Sequence, residues 1–161
     1  MKKPSFLDKL KGEGKLELVD PSDEICASYM EKANDCLKSA KLLLENGLFE
    51  NSISMSYYAM YNSLTTLLFR TGVKCENHSA SILLLKKLLG RNDLFEMISF
   101  AKEERIDKQY YVTSGQNFTL TKDSAQDMVS KAENFTVQMK LLNTNLENKQ
   151  IEQVRENFKA V

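Results

Sequence analysis

His78, Arg105 and the tyrosines Tyr57, Tyr58, Tyr61, Tyr110 and Tyr111 are the side chains of this chain best equipped for chemistry. An imidazole, a guanidinium and a set of phenols suit proton movement and the binding of a phosphate or a planar ring. His78 is the only histidine, which excludes a metal centre built on paired imidazoles. A phosphate-cradling glycine loop and a nucleophile elbow are both missing, and no pair of acids stands out for catalysis. The sequence therefore asks for no metal and no cofactor.

Each candidate has a structural role open to it beside the chemical one. His78 falls in the first turn of a predicted helix, where the helix dipole disfavours imidazolium and keeps the ring neutral. It serves either as an interhelical hydrogen-bonding group or as a polar contact and acid–base group in a ligand groove. Arg105 follows the apolar stretch of its helix, so it either pairs with a neighbouring acid or contacts a phosphate. Tyr57, Tyr58 and Tyr61 either fill the core or face a ligand. Tyr110 and Tyr111 either close the core or offer a ring on which a base stacks.

The frame for these groups is legible in the apolar pattern. From Ile53 to Phe69, apolar residues occur on nearly every side of a helix, so that segment is predicted as the enclosed central helix of an all-α, up-and-down bundle of four to five helices. The three tyrosine hydroxyls inside it each need a partner. Before it, Asp20-Pro21-Ser22-Asp23 starts a helix that runs to Asn46-Gly47, and the short break there makes an antiparallel hairpin with a helix over Phe49–Arg70. Asn77 caps a third helix ending at Gly90, and a fourth begins near Asn92-Asp93. Val112 to Leu120 is predicted as a loop, and a fifth helix begins near Thr121 to Ser124. Ile151, Val154 and Phe158 either extend that helix or form a terminal one. Residues 1–20 are predicted as a flexible arm with at most a turn of helix near Phe6 to Leu10, residues 21–146 as the bundle and 147–161 as a helical extension. No β pattern is visible.

Composition narrows the function classes. Lysine plus arginine and aspartate plus glutamate both number 22, and a zero net charge argues against dense, nonspecific nucleic-acid binding while leaving a local basic patch open. The first ten residues lack the apolar run of a signal peptide, and no later run could span a bilayer, so a cytoplasmic location is expected. Three cysteines, Cys26, Cys36 and Cys75, in no zinc-like spacing, suit reduced intracellular thiols.

In order along the chain, Ala33…Ser39-Ala40…Leu43-Leu44…Gly47, Ser56-Tyr57-Tyr58-Ala59-Met60-Tyr61, Leu67-Leu68…Gly72…Asn77-His78-Ser79, Arg105…Tyr110 and a closing helix with Ala132 and Phe135 resemble the HEPN superfamily. The likeness covers residues 22 to 146 and is strongest to the small stand-alone proteins of archaea and bacteria. It implies a helical bundle that forms a homodimer with a groove across the interface. Many HEPN proteins are metal-independent ribonucleases, often toxins controlled by a minimal nucleotidyltransferase. The active ones carry arginine, four to six residues, then histidine, and attack phosphate with the neighbouring ribose 2′-hydroxyl. Here the histidine position falls on Tyr110, and tyrosine, with a pKa of about 10, is a poor general base at neutral pH.

The resemblance thus implies a protein that binds a nucleotide, RNA or a protein partner, with a nucleotidyltransferase as companion and little or no catalysis. Tyr57, Tyr58, His78, Arg105, Tyr110 and Tyr111 are its candidate ligand-binding residues. The alternative is a metal-independent endoribonuclease toxin in which Arg105 and His78 converge, with Tyr110 as a further catalytic candidate.

Overall fold

In a computed structural model of the protein, residues 3–110 and 121–161 are described, the side chains of 107–110 excepted. Among the described residues there are seven helices and two short strands: α1 (Phe6–Gly12), β1 (Leu16–Leu18), α2 (Asp23–Glu45), α3 (Phe49–Arg70), β2 (Val73–Cys75), α4 (His78–Leu89), α5 (Asn92–Tyr110), α6 (Lys122–Asn145) and α7 (Asn148–Ala160). The architecture is the expected all-α bundle, with α2–α6 forming its body. The predicted loop at 112–120 lies outside the described residues.

Helix α3 is the axis. It packs against α2, α4, α5 and α6, and its buried positions include Ile53, Tyr57, Met60, Leu64 and Leu67, which point in several directions around the helix. Small hydroxyl residues occupy much of the remaining circumference, which lets neighbouring helices approach closely. Several of their hydroxyls are satisfied: Ser63 donates to the Met60 carbonyl and Thr65 to that of Tyr61, while Ser52 reaches across to Ala40 on α2 at 2.7 Å; the buried Ser56 hydroxyl has no partner among the described residues. Caps fix the helix starts. The Ser22 hydroxyl accepts from the Ile25 N–H at the head of α2, and the Asn77 side chain accepts from Ala80 N–H at the head of α4.

Two expectations are corrected. Strands β1 and β2 pair antiparallel, Leu16 opposite Cys75 and Leu18 opposite Val73. Three residues are too few for a period-two pattern to show, and the partner strand lies more than fifty residues away. The N-terminal segment is also not a loose arm: Leu7, Leu10 and Leu16 are buried in the main core. Helix α7 is a helix of its own, and it closes over the same end of the molecule.

The Lys11 ammonium donates to the Phe158 and Val161 carbonyls and lies over the Phe158 ring. Arg155 Nη1 donates to the carbonyls of Val19, Thr71 and Gly72, at 2.8, 3.2 and 3.2 Å. Gly72 makes this possible, because its φ of +71° is left-handed and a Cβ there would sit 2.4 Å from the Val19 oxygen. The clasp thereby fixes β2, the strand that delivers the chain to His78.

Candidate functional site: an arginine, a histidine and three tyrosines

The bundle brings Tyr57, Tyr58, His78 and Arg105 into one cluster at the α3–α4–α5 junction. Tyr57, Tyr58 and Tyr61 belong to consecutive turns of α3, His78 opens α4, and Arg105 comes from the second half of α5. Each tyrosine hydroxyl finds a partner. Tyr57 is fully buried and its hydroxyl lies 2.9 Å from His78 Nδ1. Arg105 Nη1 donates to the Tyr58 hydroxyl at 3.1 Å, and the Tyr61 hydroxyl lies 3.4 Å from Ser81 Oγ.

Rings and guanidinium are layered. The His78 imidazole stacks on Tyr61 with centroids 3.7 Å apart and planes 15° from parallel. The Arg105 guanidinium carbon sits 5.1 Å from the Tyr57 ring centre and 5.4 Å from that of Tyr58. Such cation–π contacts hold the arginine in place without neutralising it. Its Nε is buried and has no hydrogen-bond partner among the described residues.

Proton positions follow from these surroundings. Burial pushes the Tyr57 phenol well above its ordinary value, an effect only partly opposed by Arg105, so Tyr57 keeps its proton. Burial, reinforced by the positive charges of Arg105 and Lys102, moves the His78 imidazole below its ordinary value. Either partner of this pair can donate, but the Tyr57 hydroxyl is buried and His78 Nδ1 is its hydrogen-bond partner among the described residues, so we assign Tyr57 O–H as the donor and Nδ1 as the acceptor. The imidazole proton then sits on Nε2, so that His78 offers a donor to anything that approaches that edge.

Three residues of the neighbourhood, Lys102, Ser79 and Ser81, were not among the candidates read from the sequence, whereas Tyr61 was, lying four positions after Tyr57 and therefore on the same helix face. Lys102 lies one turn before Arg105, and its ammonium donates to the Ser79 hydroxyl. No pattern in the sequence pairs Ser79 and Ser81 with α3 or α5, because that juxtaposition is tertiary. Tyr110 ends α5, but its side chain, like all of Tyr111, lies outside the described residues. Arg70, the one arginine that precedes His78 in the sequence, is engaged elsewhere and donates to Asp23 at 2.9 Å.

Two clefts adjoin the cluster. Tyr58 forms part of one between α2 and α3, of about 560 Å³, with Leu42, Leu43 and Met55. Ser79 and Lys102 belong to another between α4 and α5, of about 370 Å³. Among the described residues, no group of three His, Cys, Asp or Glu side chains stands close enough to hold a metal ion. No described helix is long and apolar enough to cross a membrane.

Comparison with known proteins decides the kinship. The HEPN domain profile matches residues 27–142, nearly the whole of α2 through α6. The chain belongs to the HEPN domain family. It is 23% identical over 122 residues to a UPF0332 protein of Thermotoga maritima, covering 73% of this chain and 89% of that one. It is 27% identical over 124 residues to a Methanocaldococcus jannaschii protein named "Putative toxin", covering 75% and 90%. A UPF0332 protein of Pyrococcus horikoshii is 36% identical over a shorter stretch of 64 residues, 40% of this chain and 44% of the relative. The HEPN match leaves α1, β1 and α7 outside it, so the clasp at Gly72 joins segments beyond the match to the α3–β2 turn within it.

Proposed function

We propose that this HEPN protein binds the phosphate of a nucleotide or of RNA at the Arg105–His78–tyrosine cluster, with little or no catalysis of its own. The observation that carries this reading is the Tyr57–His78 hydrogen bond beside an arginine whose charge no described carboxylate cancels. Guanidinium N–H groups, the Nε2–H of a neutral imidazole and the Lys102 ammonium are all donors, and together they suit an anion. The protein acts in the cytoplasm as a homodimer, in a toxin–antitoxin-like pair with a minimal nucleotidyltransferase. The relative named as a toxin and the family membership support that setting.

A ribonuclease reading has one observation in its favour: Arg105 and His78 both converge on Tyr57. Proton bookkeeping weighs against it. A general base needs a free lone pair, and the one on the neutral imidazole is taken by the Tyr57 hydroxyl. A general acid needs a proton it gives up readily near pH 7, and a neutral imidazole N–H is far too weak an acid.

Two measurements test the proposal. Titration with AMP or a short RNA should raise the melting temperature, as any ligand selective for the folded state does, through a gain in stability of about 2.7 kcal/mol at a hundredfold excess over Kd. Arg105→Ala should cancel that rise. Metal-free protein should leave RNA intact; cutting that Arg105→Ala abolishes would instead make the protein a ribonuclease. A melting temperature unmoved by nucleotide and RNA would contradict phosphate binding.

A further inference from the structure

The cleft between α4 and α5 is built partly by a residue that lies outside the HEPN match. Phe6, the first residue of α1, lines it together with Ile82, Leu83, Phe95, Ser79 and Lys102. Phe6 remains 48% exposed, although the Ser5 capping box holds its helix start in place. An aromatic ring left half in water beside an apolar trough is suited to cover a flat, partly apolar partner. At about 370 Å³ the trough has the size of a small-ligand site and admits a nucleobase with its sugar.

The charges around this trough orient such a ligand. Ser79 follows His78 in the chain, and Lys102 precedes Arg105 by one helical turn, about 5–6 Å between β-carbons. A single phosphate can therefore meet both cations at the end of the trough nearest the cluster. The Lys102 ammonium is held there by a hydroxyl, a partner that an anion readily replaces. Glu103 lines the same trough, and its carboxylate repels phosphate but accepts from an exocyclic amino group. Phosphate at the Arg105 end and base in the trough is the arrangement without a like-charge conflict.

The geometry points to a nucleoside subsite in the α4–α5 cleft, in which Phe6 stacks on the base of a nucleotide whose phosphate is held by Arg105 and Lys102. This rests on the phosphate-binding reading above and adds the base to it. The shared chemistry is a nucleoside monophosphate unit, whether free or within an RNA chain.

The experiment is calorimetric titration of the full chain with inorganic phosphate, AMP and a six-nucleotide adenylate RNA, for the native protein, Phe6→Ala and Phe6→Tyr. AMP should bind tighter than inorganic phosphate. Phe6→Ala should weaken AMP about tenfold, as loss of one aromatic stack does, with phosphate affinity changed less than twofold. Phe6→Tyr keeps a ring and should restore AMP binding, which separates stacking from a folding defect. If the RNA binds tighter than AMP and is weakened by Phe6→Ala, the unit belongs to RNA; equal binding with the same weakening makes it a free nucleotide. Equal affinity for AMP and phosphate, or AMP binding untouched by Phe6→Ala, overturns the subsite and leaves the phosphate site standing. No binding of phosphate, AMP or RNA overturns both.

Discussion

Arg105 and Arg155 are both half-buried arginines on helices, and they are used in opposite ways. Arg155 spends one terminal nitrogen on three backbone carbonyls, those of Val19, Thr71 and Gly72, and so ties α7 to β2 and to the segment after β1. Arg105 faces rings. Among the described residues it makes one hydrogen bond, to Tyr58, lies over two tyrosine faces, and leaves its Nε without a partner. An arginine surrounded by carbonyls has its hydrogen bonding satisfied by the fold. One set against aromatic faces is held in place while its charge and some of its donors remain available. The first arrangement stabilises; the second leaves capacity for an anion at some cost in stability, as binding sites commonly do.

The comparison can be broken most forcefully at Gly72. Gly72→Ala puts a methyl group 2.0 Å from Arg155 Nη1 and 2.4 Å from the Val19 oxygen, at a φ of +71°. Chemical denaturation should show a loss of about 2–4 kcal/mol, from left-handed strain plus the displaced clasp. A variant as stable as the native protein would mean that the clasp carries little of the fold.

Next in size is the contrast between the two arginines themselves. Arg155→Ala removes the donor shared by three carbonyls, of which that of Gly72 keeps the Val19 N–H, and should cost about 2–3 kcal/mol, with ligand affinity reduced no more than the shared unfolding explains. Arg105→Ala should stay within about 1 kcal/mol of the native stability and yet remove the ligand-induced rise in melting temperature. The reverse result would exchange the roles assigned here. A smaller effect is expected of Tyr57→Phe, which deletes the donor to His78 Nδ1: about 1 kcal/mol of stability, with the imidazole proton freed to occupy either nitrogen. Nitrogen NMR shifts of the ring report that tautomer directly.

How far the sequence foretold this molecule depended on the reach of each interaction. Helix α3 was legible from end to end, because apolar residues and three tyrosines on all its sides leave no alternative to enclosure. The caps Ser22 and Asn77 were legible too, being local chemistry. Strands β1 and β2 were not, since their pairing joins three-residue segments from distant parts of the chain. The docking of α1 was missed for a related reason: Leu7 and Leu10 look like a minor apolar turn until Leu16 and α7 are in place beside them.

The same distinction holds for the candidate site. Tyr57, Tyr58, His78 and Arg105 were chosen for their chemistry and the fold places them together, but the stacking of His78 on Tyr61 and the approach of Lys102 to Ser79 arise only when α3, α4 and α5 pack. Phe6, in the segment with the least sequence signal, lines a cleft next to the cluster.

The central claim is that His78 is a neutral donor locked by Tyr57 beside an available arginine. With one histidine in the chain, the imidazole resonances belong to His78 without assignment, and their pH titration by NMR is the most direct test. Because its folded value is depressed, the unfolded chain binds more protons between that value and about 6.5, so stability rises with pH through this window and falls on acidification. The account predicts a titration midpoint below about 6.5, a proton on Nε2 at pH 7, and an upward shift when AMP places a phosphate nearby. A midpoint above 6.5 in the free protein, unmoved by AMP, would contradict it.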